Sequence, residues 1–199
     1  SWSDRHLRLE FVGAGASAHI VGESMQSGSV NYFFGNDPAR WRTSVPTFAR
    51  VRVADIYSGI SLVHYGNQNY LEYDFVVDPG ADPSVIAIRF RGADQMTIDA
   101  KGDLVLRLGA EEIRQPKPLI YQHVHGTRKE IAGGYFMADS QTVKFEIGPY
   151  DQRLPLVIDP VLSYSTYYGG GGWDTAWGVT VDTNGFVYVA GESMSGLPT

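Results

Sequence analysis

The chain has 199 residues, 16 Lys and Arg against 22 Asp and Glu, no Cys, and 23 Gly with 10 Pro. Without Cys there is no disulfide scaffold, Cys-ligated zinc, iron–sulfur cluster or cysteine nucleophile, while an apolar content of 43% is ample for a packed core. No apolar run approaches the roughly 20 residues that cross a bilayer, and the scattered charges, net −6, form no basic stripe for a nucleic acid.

Alternation dominates the chain from its start. Leu7, Leu9 and Phe11 alternate with Arg8 and Glu10, and Val51 and Val53 with Arg50 and Arg52. Such period-2 patterning sets one row of side chains against a core and the other in water. One helical start appears at Asn36-Asp37-Pro38-Ala39-Arg40-Trp41, with an Asp N-cap and Pro at the first helical position. Pro46 close behind limits it to a turn or two. Strands over Leu71–Val77 and Val85–Phe90 flank the turn chemistry of Asp78-Pro79-Gly80-Ala81-Asp82-Pro83. Arg89 and Arg91 share a strand face and read as a solvated edge. Asp99-Ala100-Lys101-Gly102-Asp103 reads as a hairpin tip, with Gly102 supplying positive φ. Leu104, Leu106 and Leu108 form the next alternating strand, Gly133-Gly134 a turn, and Val143, Phe145 and Ile147 a further strand. Many short strands between turns predict an all-β, sandwich-like domain.

The composition changes at Asp159-Pro160, which places a boundary between residues 1–160 and 161–199. Four glycines, Gly169 to Gly172, precede strands over Trp173–Val181 and Phe186–Ala190, joined by the hairpin signal Asn184-Gly185. This last segment has the length and texture of one propeller blade. Repeat units bury their faces only against neighbours, so the chain is expected to continue past Thr199 or to lean the blade on the preceding domain.

Specific motifs carry a family resemblance. Tyr164-Ser165-Thr166-Tyr167-Tyr168-Gly169-Gly170, Asp174, Gly178-Val179-Thr180-Val181-Asp182, Asn184-Gly185, Tyr188-Val189-Ala190-Gly191 and Leu197-Pro198-Thr199 resemble a bacterial β-propeller repeat of the SBBP type. Asn31-Tyr32-Phe33-Phe34-Gly35-Asn36-Asp37-Pro38, Trp41-Arg42-Thr43, Val45-Pro46-Thr47, Tyr57-Ser58-Gly59-Ile60 and Tyr65-Gly66-Asn67 resemble the domain that precedes such repeats. So do Leu71–Val77, Pro79–Pro83 and Pro155–Pro160. The resemblance implies a piece of a larger exported or surface protein of a bacterium, with more sequence on both sides and no catalytic role to carry over. Where that pattern tends to hold an acidic residue after Tyr121-Gln122, this chain has His123, with His125 following.

Candidate chemistry is sparse. His123 and His125, at i and i+2 of an apparent strand, face one side and would share a metal only if a third ligand approached; two exposed histidines beside a turn at Gly126 is the plainer reading. Glu72 and Asp74 share a strand face among tyrosines. They point the same way, unlike the opposed carboxylates that flank a glycosidic bond, and cross-strand pairing with Arg or Tyr is the competing reading. Calcium held by Asp174 or Asp182 is a further candidate, although Asp182-Thr183-Asn184-Gly185 lacks the distal Glu of an EF-hand. Trp173 and Trp177, beside the glycine loop, are candidates for stacking on a sugar ring. No Gly-x-Ser-x-Gly elbow or phosphate loop occurs.

These residues predict a non-enzymatic extracellular or cell-surface structural or interaction module without a cofactor. It would bind protein partners or itself through exposed strand edges. The alternative is a carbohydrate-binding module or part of a secreted glycan-active enzyme.

Overall fold

A computed structural model describes residues 7–15, 18–67, 70–160, 174–181 and 187–193. The chain divides into two compact units, Ser1–Tyr164 and Ser165–Thr199. Among the described residues, fourteen strands build the first. In chain order they are β1 (Arg8–Phe11), β2 (His19–Tyr32), β3 (Arg42–Tyr57), β4 (Ile60–Asn67), β5 (Tyr70–Val77), β6 (Ala87–Arg91) and β7 (Gln95–Ile98). They continue with β8 (Leu104–Leu108), β9 (Glu111–Gln115), β10 (Leu119–Val124), β11 (Thr127–Glu130), β12 (Gly133–Met137), β13 (Thr142–Ile147) and β14 (Leu156–Asp159). The fold is all-β, as the alternation predicts.

A four-stranded sheet in the order β1-β6-β13-β12 and a seven-stranded sheet in the order β11-β10-β14-β5-β4-β3-β2 share one core. The three-stranded sheet β7-β8-β9 adds Met96, Leu104, Leu106 and Leu108 to it. Phe75 on β5 is fully buried, and its ring meets Phe145 on β13 at 5.8 Å and Phe11 on β1 at 5.7 Å between centroids. Edge-to-face contacts of this kind add to simple area burial and here join the two larger sheets. Tyr57, at the end of β3, extends its hydroxyl to the carbonyls of Val12 and Ala87.

Local chemistry explains most element boundaries. The helical start at Asp37 becomes a single 3-10 turn over Pro38–Arg40, capped by the Asp37 carboxylate accepting from the Ala39 N–H at 3.0 Å. Pro46 does not end it. Pro46 lies inside β3, opposite Ser29 of β2, where β3 has no second neighbour among the described residues, because its pairing with β4 begins at Arg50. An unpaired edge is where a strand tolerates the missing N–H of Pro. Val85 belongs to a second 3-10 turn, Pro83–Val85, so β6 starts only at Ala87. Gly102 takes φ +87° at the β7–β8 hairpin, as its turn requires.

Two further expectations fail. Gly133-Gly134 is not a turn but the start of β12, paired with Ile147 and Glu146. A Cβ at Gly133 would sit 2.4 Å from the Glu146 carbonyl oxygen and 2.6 Å from Ile120 Cδ1, so glycine permits a close approach here rather than a bend. Arg89 and Arg91 do not line an edge. β6 is flanked by β1 and β13, and Arg91 Nε meets Glu10 at 2.8 Å while Arg89 Nε donates to Thr142 Oγ1.

The second unit contains the antiparallel pair β15 (Asp174–Val181) and β16 (Val187–Ser193), with a register shift between Ala176 and Gly178. The hairpin signal at Asn184-Gly185 lies outside the described residues, although Val181 opposite Val187 brackets it.

Gln122 shows how the first unit holds its least regular segment. It is buried, and its amide nitrogen donates to the carbonyls of Asp151, Leu154 and Pro155 while its oxygen accepts from the Asp151 N–H. Gln122→Ala leaves these groups without partners and is expected to cost about 3 kcal/mol, measured as a lower urea midpoint with an unchanged slope.

Candidate functional site

The outer face of the seven-stranded sheet follows from strand parity. On β5, Tyr73, Phe75 and Val77 point into the core, so Glu72 and Asp74 point out. Tyr65 on β4 shares that face, and its hydroxyl donates to Asp74 Oδ1 at 3.0 Å. Asp159 joins them from β14, the neighbour of β5, and Tyr121 from β10. Cations close the face on both sides. The Arg50 guanidinium lies 5.2 Å from the Tyr65 ring centroid, and that of Arg128 lies 3.6 Å from the ring of Tyr121. Glu72 and Asp74 are thus neighbours on one face, as their spacing predicts. Asp159, Tyr65, Tyr121, Arg50 and Arg128 carry no local signal of membership, because strand order alone assembles them.

Burial dominates the electrostatics. It pushes the Asp74 carboxyl up to about 6, helped by the nearby Asp159 charge and opposed by the Tyr65 hydrogen bond and Arg50. Burial also raises Asp159, with Glu72 adding to the effect. Asp159 Oδ1 and, on the core side, His64 Nδ1 are buried without a hydrogen-bond partner, and burial lowers the His64 pKa.

The two histidines are not brought together. His123 lies on β10 with its ring 5.5 Å from that of Tyr121, whereas His125 leaves the strand with φ +50° and, with Gly126 at +80°, forms the tight turn into β11. Positive φ at two central positions is the geometry of a two-residue hairpin loop, so His125 does not alternate with His123. Trp173 and Asp182 lie outside the described residues. Asp174 opens β15 opposite Ser193, and Trp177 falls at the register shift of that strand. Among the described residues, no group of three or more His, Cys, Asp or Glu is placed to hold a metal ion.

A second feature has no counterpart in the sequence reading. Beyond Arg50, β3 pairs with β2 alone among the described residues, so the described sheet narrows to a two-stranded ribbon running to the tip at residues 33–41. Ile20, opposite Val53, and Val51 continue the core-side face outward, yet they are 54% and 38% exposed. Phe48 lays its ring where a Cβ at Gly22 would stand, 2.5 Å away. The tip is held by its own contacts. Phe33 packs edge-on to Trp41 at 5.0 Å, Tyr32 stacks on Phe34, and the Trp41 indole N–H donates to the Gly35 carbonyl. Asn31 Oδ1 accepts from the Ser44 N–H at 2.7 Å.

The raised Asp74 gives a testable sign. Its folded pKa, about 6, exceeds the unfolded value near 3.9, so protonation favours the folded state and stability falls as pH rises from about 4 to about 6. Asp74→Asn keeps the acceptor for Tyr65 and removes this slope. The variant is expected to equal the parent at pH 4 and to gain about 1 kcal/mol at pH 7, the full shift being reduced by solvent at this half-buried site. Denaturant titrations at the two pH values measure the difference.

Two family models match the chain. A beta-propeller repeat, SBBP, covers residues 163–198, in agreement with the resemblance of the C-terminal segment. No curated protein and no solved structure was found to match. The model described as a domain of unknown function, DUF7948, covers residues 2–161, and the chain therefore belongs to the DUF7948 family, with an SBBP propeller repeat following that domain.

Proposed function

We propose that the first unit is a non-enzymatic interaction module, acting outside the cell or at the surface of a bacterium, and that the β2–β3 ribbon is its contact surface. One observation carries this reading. Of the ten large hydrophobic side chains exposed among the described residues, eight lie on the β2–β3 hairpin, five of them (Met25, Phe33, Phe34, Trp41 and Phe48) on the ribbon and its tip and three (Ile20, Val21 and Val51) just before it. Scattered exposed apolar residues need no explanation, but a concentration of them marks a surface that meets another molecule. The ordered tip means that the aromatics are presented without first having to be fixed, which favours binding. An isolated two-stranded hairpin is marginal in water, so a partner also stabilises the ribbon itself.

The outer face of the seven-stranded sheet supports a second reading, a carbohydrate-binding module, because Tyr65, Tyr121 and Asp74 lie on one surface. Calorimetric titration with a broad set of oligosaccharides separates the two. Heat that disappears in Tyr121→Ala supports glycan binding, and flat titrations favour the interaction module.

A photo-reactive phenylalanine analogue at Met25 tests the ribbon directly, with the same analogue at the exposed Phe136 of β12 as control. In the source cells, the account predicts protein cross-links from position 25 and none from position 136. Equal or absent cross-linking at the two positions would overturn it.

A further inference from the structure

We infer that the Asp159–Pro160 peptide bond is a self-cleavage site, at which the Asp159 carboxyl attacks its own main-chain carbonyl carbon and cuts the first unit from the chain that follows. The reaction occurs once per chain and is independent of the ribbon as a contact surface.

The sequence holds four Asp–Pro bonds, at Asp37, Asp78, Asp82 and Asp159. Two features make such a bond labile. The proline nitrogen belongs to a tertiary amide and leaves readily once protonated. The aspartate carboxyl is a nucleophile that closes a five-membered ring on its own carbonyl carbon. The structure sets one of the four bonds apart. Asp37, Asp78 and Asp82 are exposed. Asp37 and Asp82 turn their carboxylates forward to cap 3-10 turns, accepting from the N–H groups of Ala39 and Ser84. The hydrogen bonds from Ser84 hold the Asp82 carboxyl below its usual range. Asp159 caps no such turn. It is half-buried at the end of β14, its Oδ1 is enclosed without a hydrogen-bond partner, and Pro160 is buried. An unpartnered buried polar atom in a native fold calls for a reason, and a nucleophilic role supplies one.

The surroundings of Asp159 favour its un-ionised form. The register that sets Ile158 opposite Phe75 sets Asp159 opposite Asp74, so two carboxyls face each other across the strands. Carboxylates that share a site resist ionising together. Burial, with the Glu72 charge adding to it, raises the Asp159 carboxyl above its ordinary range. On the leaving side, Gln115 Nε2 donates to the Pro160 carbonyl at 3.3 Å.

The step balances within the chain. The carboxyl adds through oxygen to the Asp159 carbonyl carbon, its proton passes to the Pro160 nitrogen, and the C–N bond breaks. A cyclic anhydride remains on Asp159 and a secondary amine on Pro160. One water then opens the anhydride to give a free C-terminal Asp159. Nucleophile and carbonyl belong to one residue, which replaces a bimolecular encounter, so no second residue has to attack. The fourteen described strands of the first unit all precede the cut, and residues 1–159 therefore keep their sheets. The cut also falls where the DUF7948 match, residues 2–161, gives way to the propeller repeat, residues 163–198.

Intact mass of the purified 199-residue chain, held folded at about pH 5 and about pH 8, tests the inference. The expected products are residues 1–159 and 160–199, formed faster at the lower pH at a first-order rate that does not change with chain concentration. This cut should be at least about tenfold faster than any after Asp37, Asp78 or Asp82 in the same sample, and denaturant should remove the preference. Asp159→Asn should abolish the products, with circular dichroism reporting its fold. Pro160→Ala keeps the carboxyl but worsens the leaving group, and should slow them. Hydroxylamine gives a readout that needs no variant: it captures the anhydride, so residues 1–159 of the unsubstituted chain should carry a hydroxamate at Asp159. A folded chain that stays intact at about pH 5 would overturn self-cleavage. So would equal cleavage at the other three bonds, undiminished products from folded Asp159→Asn, or a fragment 1–159 without hydroxamate.

Discussion

The contact between Phe75 and Phe145 is the hinge of the structure. Through it the seven-stranded sheet and the four-stranded sheet bury each other, with Phe11 and Tyr73 closing the aromatic cluster. The two sheets are unequal, and β2 and the outer part of β3 lie beyond the shared core. The apolar row that begins at buried Ile56 and half-buried Val53 runs outward to Val51 and Ile20. An apolar face that outlasts its cover has a free energy that association lowers, because burying it removes apolar area from water. The contact surface therefore follows from a mismatch of sheet sizes rather than from a reactive side chain.

The polar side of the same sheet follows a different constraint. Asp74 and Asp159 lie on adjacent strands, and both carboxyls are raised by burial. Like charges facing one another across strands are unfavourable, and the cluster is offset by the Tyr65 hydroxyl and by guanidinium groups from β3 and β11. On this face tyrosines and arginines pack on each other, Arg128 over Tyr121 and Arg50 near Tyr65.

Much of this fold is legible in the sequence because its strands are half-buried. Leu104, Leu106 and Leu108 alternate because one face of β8 meets the core, and Asp37-Pro38 caps a turn by a contact two residues long. What the sequence hides depends on partners distant along the chain. Gly133 is glycine because of the Glu146 carbonyl on the neighbouring strand, so a local reading takes it for a turn. His125 continues an apparent alternation, and only the pairing of β10 with β11 shows that the chain reverses there. The ribbon is the largest omission. Ile20 and Val51 look like core residues in sequence, and their exposure depends on where the opposing sheet stops. Of the polar face, the shared side of Glu72 and Asp74 could be read from spacing, but Asp159 and the two arginines could not.

Oxidation of Met25 tests the central claim most directly. Met25 is 69% exposed in the single chain, whereas Met96 is 7% exposed within the core, and the rate at which a thioether becomes its sulfoxide tracks access to oxidant. If the ribbon is the contact surface, peroxide oxidises Met25 of the purified chain quickly and Met25 of the chain in its source cells much more slowly, each rate taken against added free methionine, with Met96 slow in both. A Met25 rate that is the same for the purified chain and in the source cells would contradict the account.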